Sequence, residues 1–476
     1  MRRIGKLEAI SFITGFSLLT YELAAARILA PTIGSSTYVW TSVIGVIIAS
    51  LAFGFFIGGK LADKRDHITD LVWLLLLASL MVVATQVLYS GVLSWVVFLG
   101  SDVRVQAVIA ASLLFAPTSF LIGMTSPYLA KLNVRSLKTT GQHVASLDAL
   151  NSLGGIVGTF LTGFILFGYI GSHQTFSIVA LLLLGVSWLI SPKYRLKHRV
   201  ILSVAISVVT LLPFMGTRVG ATNIDTASAH YQVVKYMYND APITGLVTGP
   251  AGIQSAVYDS GSSDPVFWYT QELARLTLEE KPERILVLGG GAFTLPQYLA
   301  EKLPSSKIDV VEIDPGLKEI SEKYFHYKNP SNVNLIFDDA RAYVNQSNQT
   351  YDMILVDVYG DTSIPFSLIT REYAESLDKR LSVDGRVVVN IIGGESGKCL
   401  DVLAAVNASY QNRFPYAYYS NQLSQPAARA NYIVSYSRAP VSIRGQKPLQ
   451  IPKQPLFTDN YAPAERLYYA CEQSGR

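Results

Sequence analysis

Charge and cysteine are what this sequence has least of. Only 16% of its 476 residues are charged, against about 25% in a soluble globular chain. Half are hydrophobic, and the mean hydropathy is +0.30. A wholly soluble chain and a disordered one are both excluded. Two cysteines, Cys399 and Cys471, exclude a disulfide framework and a cysteine-rich zinc module, but they leave the redox compartment open. The six histidines stand singly, so no metal constellation is visible. The glycine turn at 289–291 is not followed by a phosphate-loop lysine, which argues against ATP hydrolysis. That turn, GGGAFT, also lacks the third glycine of a dinucleotide fingerprint.

What charge there is divides unevenly. Residues 1–216 carry 15 Lys and Arg against 7 Asp and Glu, a balance of +8; residues 217–476 carry 24 against 28, a balance of −4. The acidic half excludes nucleic acid as a partner, which needs a basic face. It suits a cationic substrate. The length allows roughly two to four domains. Three regions are expected: a membrane domain at 1–216, a small β region at 217–280 and an α/β domain at 281–476.

The first region alternates apolar stretches with charged loops. Spans are expected near 7–30, 38–59, 71–93, 106–130, 144–169, 174–190 and 200–216, about seven transmembrane helices in contact with membrane lipid. Most reach the ~20 residues that cross a ~30 Å hydrocarbon core. The first is read as a helix and not a signal peptide, because no small-residue cleavage site precedes soluble sequence. Gly54, Gly58, Gly59, Gly154, Gly155 and Gly158 permit close helix packing in lipid. Lys and Arg fall in alternate loops: Arg2, Arg3 and Lys6; Lys60, Lys64 and Arg65; Lys131, Arg135 and Lys138; Lys193, Arg195, Lys197 and Arg199. By the positive-inside rule this is a multi-pass cell-membrane protein with a cytoplasmic N-terminus. Glu22 and Arg27 lie within the first span. They read either as a structural pair near the helix end or as a polar site facing the bundle interior. Pro117, Pro127, Asp148 and Asn151 carry the same two readings.

The second half changes character. Tyr- and Val-rich runs at 231–238 and 254–258 lie between Gly, Pro and Asp turns and read as short strands. A β/α alternation follows. RILVL (284–288) is a buried strand, the three glycines a turn, and 294–302 a helix; further strands are expected at 307–313, 333–337, 353–356 and 386–391. The fold class is a doubly wound, Rossmann-like α/β domain of the S-adenosylmethionine-methyltransferase type, with a mostly parallel sheet. Gly289, Gly290 and Gly291 let a ligand approach the backbone at a helix N-terminus. Glu312 ends the second strand, 21 residues after Gly291, where a carboxylate can accept both ribose hydroxyls. Asp339 follows the third strand, within reach of an adenine amino group. Asp357 ends the fourth, at the edge where such sheets bind ligands. The plain alternative is that these acids cap helices. A turn without the dinucleotide glycine favours a ligand without a pyrophosphate, such as S-adenosylmethionine or a derivative.

At this point the sequence resembles a family. SAHYQVV (228–234), GIQSAVYD (252–259), FWYTQELARL (267–276), ILVLGGGAFTLPQYL (285–299), VVEIDPGL (310–317), FDDARAYV (337–344) and YDMILVDVYGD (351–361) follow the order of the spermidine synthase (polyamine aminopropyltransferase) family. Residues 9–65, with GFSLLTYELAAARILAPTIGSSTYVW and GGKLADK, resemble its membrane-fused branch, which carries a transporter-like multi-span half. The resemblance implies that Glu312 holds the ribose, and Asp339 and Ala340 the adenine. It places Gln232 on the methionine-derived side, Tyr231, Gln254 and Tyr269 around the acceptor amine, and Asp357 as the central acid. A homodimer is also implied. Two departures stand out. The family's GGGDG aspartate, which binds the aminopropyl amine, is replaced by Ala292, and a DSSDP-like run is replaced by Asp357-Val-Tyr-Gly-Asp361, in which Asp361 can substitute on the substrate side.

Three functions follow from the residues and the resemblance. One is a membrane-anchored aminopropyltransferase that uses decarboxylated S-adenosylmethionine, without a metal, on a polyamine-type small-molecule amine. The second is an S-adenosylmethionine-dependent methyltransferase on the same scaffold, favoured by Ala292. The third is a transporter or sensor whose soluble domain only binds ligand, favoured by Glu22 and Arg27. The side of the membrane is contested. Seven crossings from a cytoplasmic N-terminus put the α/β domain outside, whereas an adenosyl-sulfonium donor favours the cytoplasm, the side toward which the reading leans. The span at 200–216, only 17 residues long, is the marginal one: it is re-entrant or interfacial, or a long stretch crosses twice, or the domain is outside.

Overall fold

The computed structural model describes residues 5–65, 67–100, 102–133, 140–190, 196–215, 221–249, 252–359, 364–422, 429–452 and 454–474. The chain divides into two compact units, Met1–Tyr231 and Gln232–Arg476.

The first unit is helical. It comprises α1 (Lys6–Ile33), α2 (Thr37–Lys64), α3 (Ile68–Phe98), α4 (Val103–Leu114), α5 (Ala116–Asn133) and α6 (Thr140–Leu161). A π turn (Thr162–Leu166) and a single turn α7 (Phe167–Tyr169) lead to α8 (Ser172–Ile190), α9 (Leu196–Met215) and a strand β1 (Ala221–Asp225). Glu8 accepts from the Gly5 amide and so closes the start of α1. Among the described residues, five helices are long and apolar enough to cross a membrane: 6–30, 37–64, 68–98, 140–166 and 172–190. The pair α4–α5, bent by 54° at its break, passes the same test of length and apolarity only when its two helices are taken together. Pro117 lies in the first turn of α5, where a missing amide is tolerated and the preceding ladder ends. The stretch expected as one span at 106–130 is therefore a broken one.

Backbone approach at glycine sets which helices pair. Gly154 meets the backbone of Phe12, Gly15 that of Asn151, and Gly158 that of Phe16, so α1 and α6 lie in contact and run parallel. Ser11 Oγ donates to the Leu147 carbonyl at 2.8 Å, and Asn151 Nδ2 to the Ser11 carbonyl at 3.1 Å. Asn151 is thus helix glue. Gly54, Gly58 and Gly123 do the same for the parallel pair α2 and α5. Helix α3 runs antiparallel to α8, with Ser79 Oγ on the Ala180 carbonyl and Gln86 Nε2 on that of His173, both at 2.7 Å. Helix α9 runs antiparallel to α8 over most of its length. Arg199 Nη2 donates to the Ser187 carbonyl (2.8 Å), Trp188 Nε1 to Ser203 Oγ (2.9 Å) and Ser177 Oγ to the Thr210 carbonyl (2.9 Å). Arg27 donates to the Thr226 carbonyl at 2.9 Å and lies 4.3 Å over the Phe167 ring.

The second unit holds two sheets. Strand β2 (His230–Tyr238) carries the boundary between the units and pairs antiparallel with β3 (Ala241–Gly249), which pairs with β4 (Gly252–Tyr258). Helix α10 (Trp268–Glu280) leads into the larger sheet. Its parallel strands are β5 (Arg284–Leu288), β6 (Lys307–Glu312), β7 (Val333–Phe337), β8 (Tyr351–Val356) and β9 (Leu381–Gly393). The helices α11 (Thr294–Lys302), α12 (Gly316–Tyr324), α13 (Ala340–Gln346) and α14 (Arg371–Lys379) cross between them, and α15 (Gly397–Gln411) follows β9. Strands β10 (Tyr416–Asn421), β11 (Ala430–Ser437) and β12 (Lys447–Pro448) complete an eight-stranded sheet of order β12-β10-β11-β9-β8-β5-β6-β7, and α16 (Ala464–Ser474) ends the chain. The apolar runs ILVL (285–288) and MILV (353–356) lie wholly buried in β5 and β8, as a sheet covered on both faces requires. The order reverses between β5 and β8, which is where doubly wound sheets open a crevice.

The two cysteines are bonded. Cys399 of α15 joins Cys471 of α16 across 72 residues of sequence, and both are fully buried. A framework of disulfides is absent, as two cysteines require, but a single staple is present; nothing in the spacing of the two residues indicates it.

Candidate active site

The site forms where β5 and β8 end side by side. Leu288 pairs with Val356, and the Asp357 amide donates to the Leu288 carbonyl at 2.9 Å. Gly289 follows at φ +92°, and a Cβ there would strike the Asp357 carbonyl. Gly291, at φ +51°, would set a Cβ 2.6 Å from Ser255 Oγ of β4. The turn is thus a cradle in which side chains have no room. Its amides are organised by Glu312 at the end of β6. One carboxylate oxygen accepts from Gly290 N (2.9 Å) and Gly291 N (3.1 Å), the other from Asp314 N (3.1 Å). Burial pushes the Glu312 carboxyl above the usual range, and the three amides oppose that shift.

Asp357 lies at the switch point itself. Burial raises its carboxyl to about 6, and the hydrogen bond from Asn390 Nδ2 (2.9 Å) counteracts part of the rise. Asn390 lies within the buried run 387–391 of β9 and is itself held: Asn431 Nδ2 donates to its Oδ1 at 2.9 Å, and the Tyr359 hydroxyl donates to its carbonyl at 3.1 Å. Tyr269 of α10 donates its hydroxyl to the Gln254 carbonyl at 2.6 Å. Burial, then the Asp357 charge, raises the Tyr269 phenol well above its ordinary value. Tyr269 therefore stays a neutral donor in the electrostatic field of Asp357.

The other expected residues are placed less uniformly. Asp339 caps α13, its Oδ1 accepting from Ala342 N at 2.9 Å, so the plain alternative of a helix cap applies to this acid. Ala340 follows it, buried. Gln254 stands on β4 beside Ser255, and its Nε2 is buried without a hydrogen-bond partner. Gln232 stands on β2 opposite Val247 of β3. Tyr231 is buried and is the last residue of the first unit. Asp361 lies outside the described residues. Ala292, where an aspartate was expected from the family, is completely buried, and its amide donates to Ser255 Oγ at 3.3 Å. Phe293 follows at φ +53°, also buried, with its ring 5.2 Å from that of Tyr327. No group of three or more metal-ligating side chains occurs among the described residues.

Sequence reading missed Ser255, Asn390, Asn431 and Tyr359. Asn390 had a signal: it is the one polar residue in the run VVVNII. Asn431 becomes a neighbour through the pairing of β11 with β9, Ser255 through its contact with the glycine turn, and Tyr359 through the loop after β8.

Comparison with known proteins gives this geometry a context. Residues 266–421 match the spermine/spermidine synthase domain. The polyamine aminopropyltransferase of Vibrio vulnificus (strain CMCP6) is 36% identical over 143 residues, 29% of this chain and 48% of that protein. Putrescine N-methyltransferase 2 of Nicotiana attenuata is 35% identical over 130 residues, 25% of this chain and 34% of that protein. The chain thus spans less than half the length of these relatives. A probable spermidine synthase from Corynebacterium glutamicum, known by crystal structure, aligns with 44% of this chain and 78% of its own at 22% identity and a TM-score of 0.39. The matched domain covers the glycine turn, Glu312, Asp339, Asp357 and Asn390. It leaves out the helical unit and β2–β4.

Proposed function

We propose that the chain is a membrane-bound, spermidine synthase-like transferase that moves an aminopropyl group from decarboxylated S-adenosylmethionine to a polyamine-type amine. The observation that carries this reading is Asp357, a carboxyl held by Asn390 Nδ2 at 2.9 Å at the switch point, within the region that matches the spermine/spermidine synthase domain. The amine nitrogen attacks the carbon beside the sulfonium. A C–N bond forms, the C–S bond breaks with its electron pair going to sulfur, and methylthioadenosine leaves. The leaving thioether needs no acid. The attacking amine must be neutral and held in line, and Asp357 as carboxylate can take its proton while Tyr269 fixes geometry. The glycine turn presents backbone without side chains at a helix N-terminus, which suits the close approach of an adenosyl donor. Glu312 would hold its ribose, and Asp339 with Ala340 its adenine. The long apolar helices of the first unit support membrane insertion.

One observation favours a second reading. The buried Ala292 offers no carboxylate to an aminopropyl ammonium, and it leaves nothing to repel the carboxylate of ordinary S-adenosylmethionine. An N-methyltransferase on the same scaffold follows. A product assay by mass spectrometry separates the two. The purified protein receives either donor with a pool of di- and polyamines. Methylthioadenosine with an amine heavier by one aminopropyl unit, absent in Asp357→Asn, is the expected result. S-adenosylhomocysteine with a methylated amine transfers the assignment to the second reading.

A further inference from the structure

We infer that the α/β domain lies on the non-cytoplasmic, oxidising face of the membrane, and that its Cys399–Cys471 bond belongs to that compartment. The inference rests on the membrane reading of the first unit and not on the activity proposed above.

The direction of each helix in the bundle carries it. The basic ends gather at one side. Lys131 at the end of α5 reaches Asp63 at the end of α2 at 3.0 Å. The start of α6, which follows Arg135 and Lys138 in sequence, lies beside the start of α1, which follows Arg2 and Arg3. By the positive-inside rule this is the cytoplasmic side. From it α1 runs outward, α2 back and α3 outward. The bent pair α4–α5 returns as one crossing, since α5 is parallel to α2. Helix α6, parallel to α1, then runs outward, and α8, antiparallel to α3, returns.

That leaves α9 to decide the side. Its packing on α8 argues for a seventh crossing rather than a re-entrant or interfacial helix. Its antiparallel contacts with α8 run from Arg199 on Ser187 to Thr210 on Ser177, so it traverses the layer that α8 traverses. At ~1.5 Å per residue, its 20 residues span about 30 Å. The chain that follows is fixed at the far end. Asp225 accepts from Ser172 Oγ, at the start of α8, at 3.0 Å. The Thr226 carbonyl accepts from Arg27, near the end of α1. The His230 ring lies 6.2 Å from that of His173. Contacts with α1 and α8 therefore place residues 225–230 opposite the basic loops. In sequence, the second unit begins at Gln232.

The disulfide is an independent pointer. Disulfides persist in oxidising compartments and are rare in the cytosol. Both sulfurs are sealed inside the domain and are the only cysteines of the chain. On this topology the site meets amines of the extracytoplasmic space, and an adenosyl donor must be delivered across the membrane by a separate transport step.

The native cysteines are bonded and buried, so a third cysteine is the sole target of a thiol reagent. Val383→Cys reports on the α/β domain (Val383 is 85% exposed) and His67→Cys on the basic side of the bundle, between α2 and α3. Each is expressed in the full chain and treated with a membrane-impermeant maleimide in spheroplasts, before and after permeabilisation. The expected result is equal labelling of position 383 in both conditions, and labelling of position 67 only after permeabilisation. The reverse pattern overturns the inference. The unmutated chain, trapped with a permeant alkylating agent in intact cells, should show both cysteines blocked; two free thiols overturn the inference without any variant. Carbonate extraction keeps the two premises apart. A chain released into the supernatant refutes the membrane reading, whereas a retained chain labelled on the wrong side refutes only the sidedness.

Discussion

Glycine does different work in the two units. In the helical unit it removes a side chain so that backbones can touch: a Cβ at Gly58 would lie 2.7 Å from Met124 Cα, and one at Gly158 2.6 Å from the Phe16 carbonyl. These glycines have ordinary helical torsions; what they supply is contact. At the end of β5 glycine supplies a backbone conformation as well as room. Gly289 and Gly291 take positive φ; a Cβ on the first would strike the Asp357 carbonyl, and one on the second would lie 2.6 Å from Ser255 Oγ. The first use is a packing device, in which small residues let two helix backbones approach closely. The second is a binding device, since the amides of such a turn can reach a ligand only when no Cβ stands in the way. One residue type thus marks a seam in one unit and a site in the other.

The comparison is broken most directly in the seam. Gly154→Leu drives a side chain into the Phe12 backbone, which cannot rotate aside. The cost should exceed the about 1–3 kcal/mol of ordinary overpacking, with loss of the folded bundle in detergent, read as thermal melting and monodisperse yield. Gly45→Leu is the matched control, because no atom lies within 4 Å of its added Cβ; its melting should be unchanged. Equal damage from both substitutions would refute the packing role.

Gly289→Ala tests the other half. Its φ of +92° disfavours any side chain, at a cost of about 1–3 kcal/mol. The new Cβ also pushes the Asp357 backbone. Displacing a reacting group by ~1 Å can cost about a hundredfold in rate. Turnover should therefore fall by about two orders of magnitude, with a shift in melting much smaller than that of Gly154→Leu. A fall in melting with turnover per folded molecule preserved would make this turn another packing device.

The two units were also unequally legible. Helix positions followed from apolar length, and the β5 turn from an unbroken apolar run ending in three glycines, because both signals are local. The acids Glu312 and Asp357 were found because each ends a buried strand. Other features depend on partners distant in sequence. Cys399 and Cys471 meet only when α15 and α16 pack, and Asn390 meets Asn431 only through the antiparallel register of β9 with β11. Asp339 shows a different limit. Its position after β7 was legible and the helix cap was one of two open readings; what decides is the hydrogen bond that its Oδ1 accepts from the Ala342 amide in the first turn of α13. The bend between α4 and α5 was foreshadowed by Pro117 and yet read as a single span, since hydropathy does not record direction.

The smallest expected effect concerns the charge of Asp357. Burial raises its carboxyl to about 6, so the carboxylate that takes the amine proton is present above that pH and lost below it. The kcat/KM of the free enzyme should fall about tenfold per pH unit below about 6 and level off above it. Asn390 pulls the other way, because its amide hydrogen bond stabilises the ionised form. Asn390→Ala removes that bond without touching the reacting atoms, so the acid limb should move to higher pH while the plateau changes less. A merely structural asparagine would lower the plateau and leave the limb in place. Asn390 is therefore a positioning residue only if the limb moves, and the pH profile of this one variant decides whether the buried amide chain of β9 and β11 tunes the site or simply fills it.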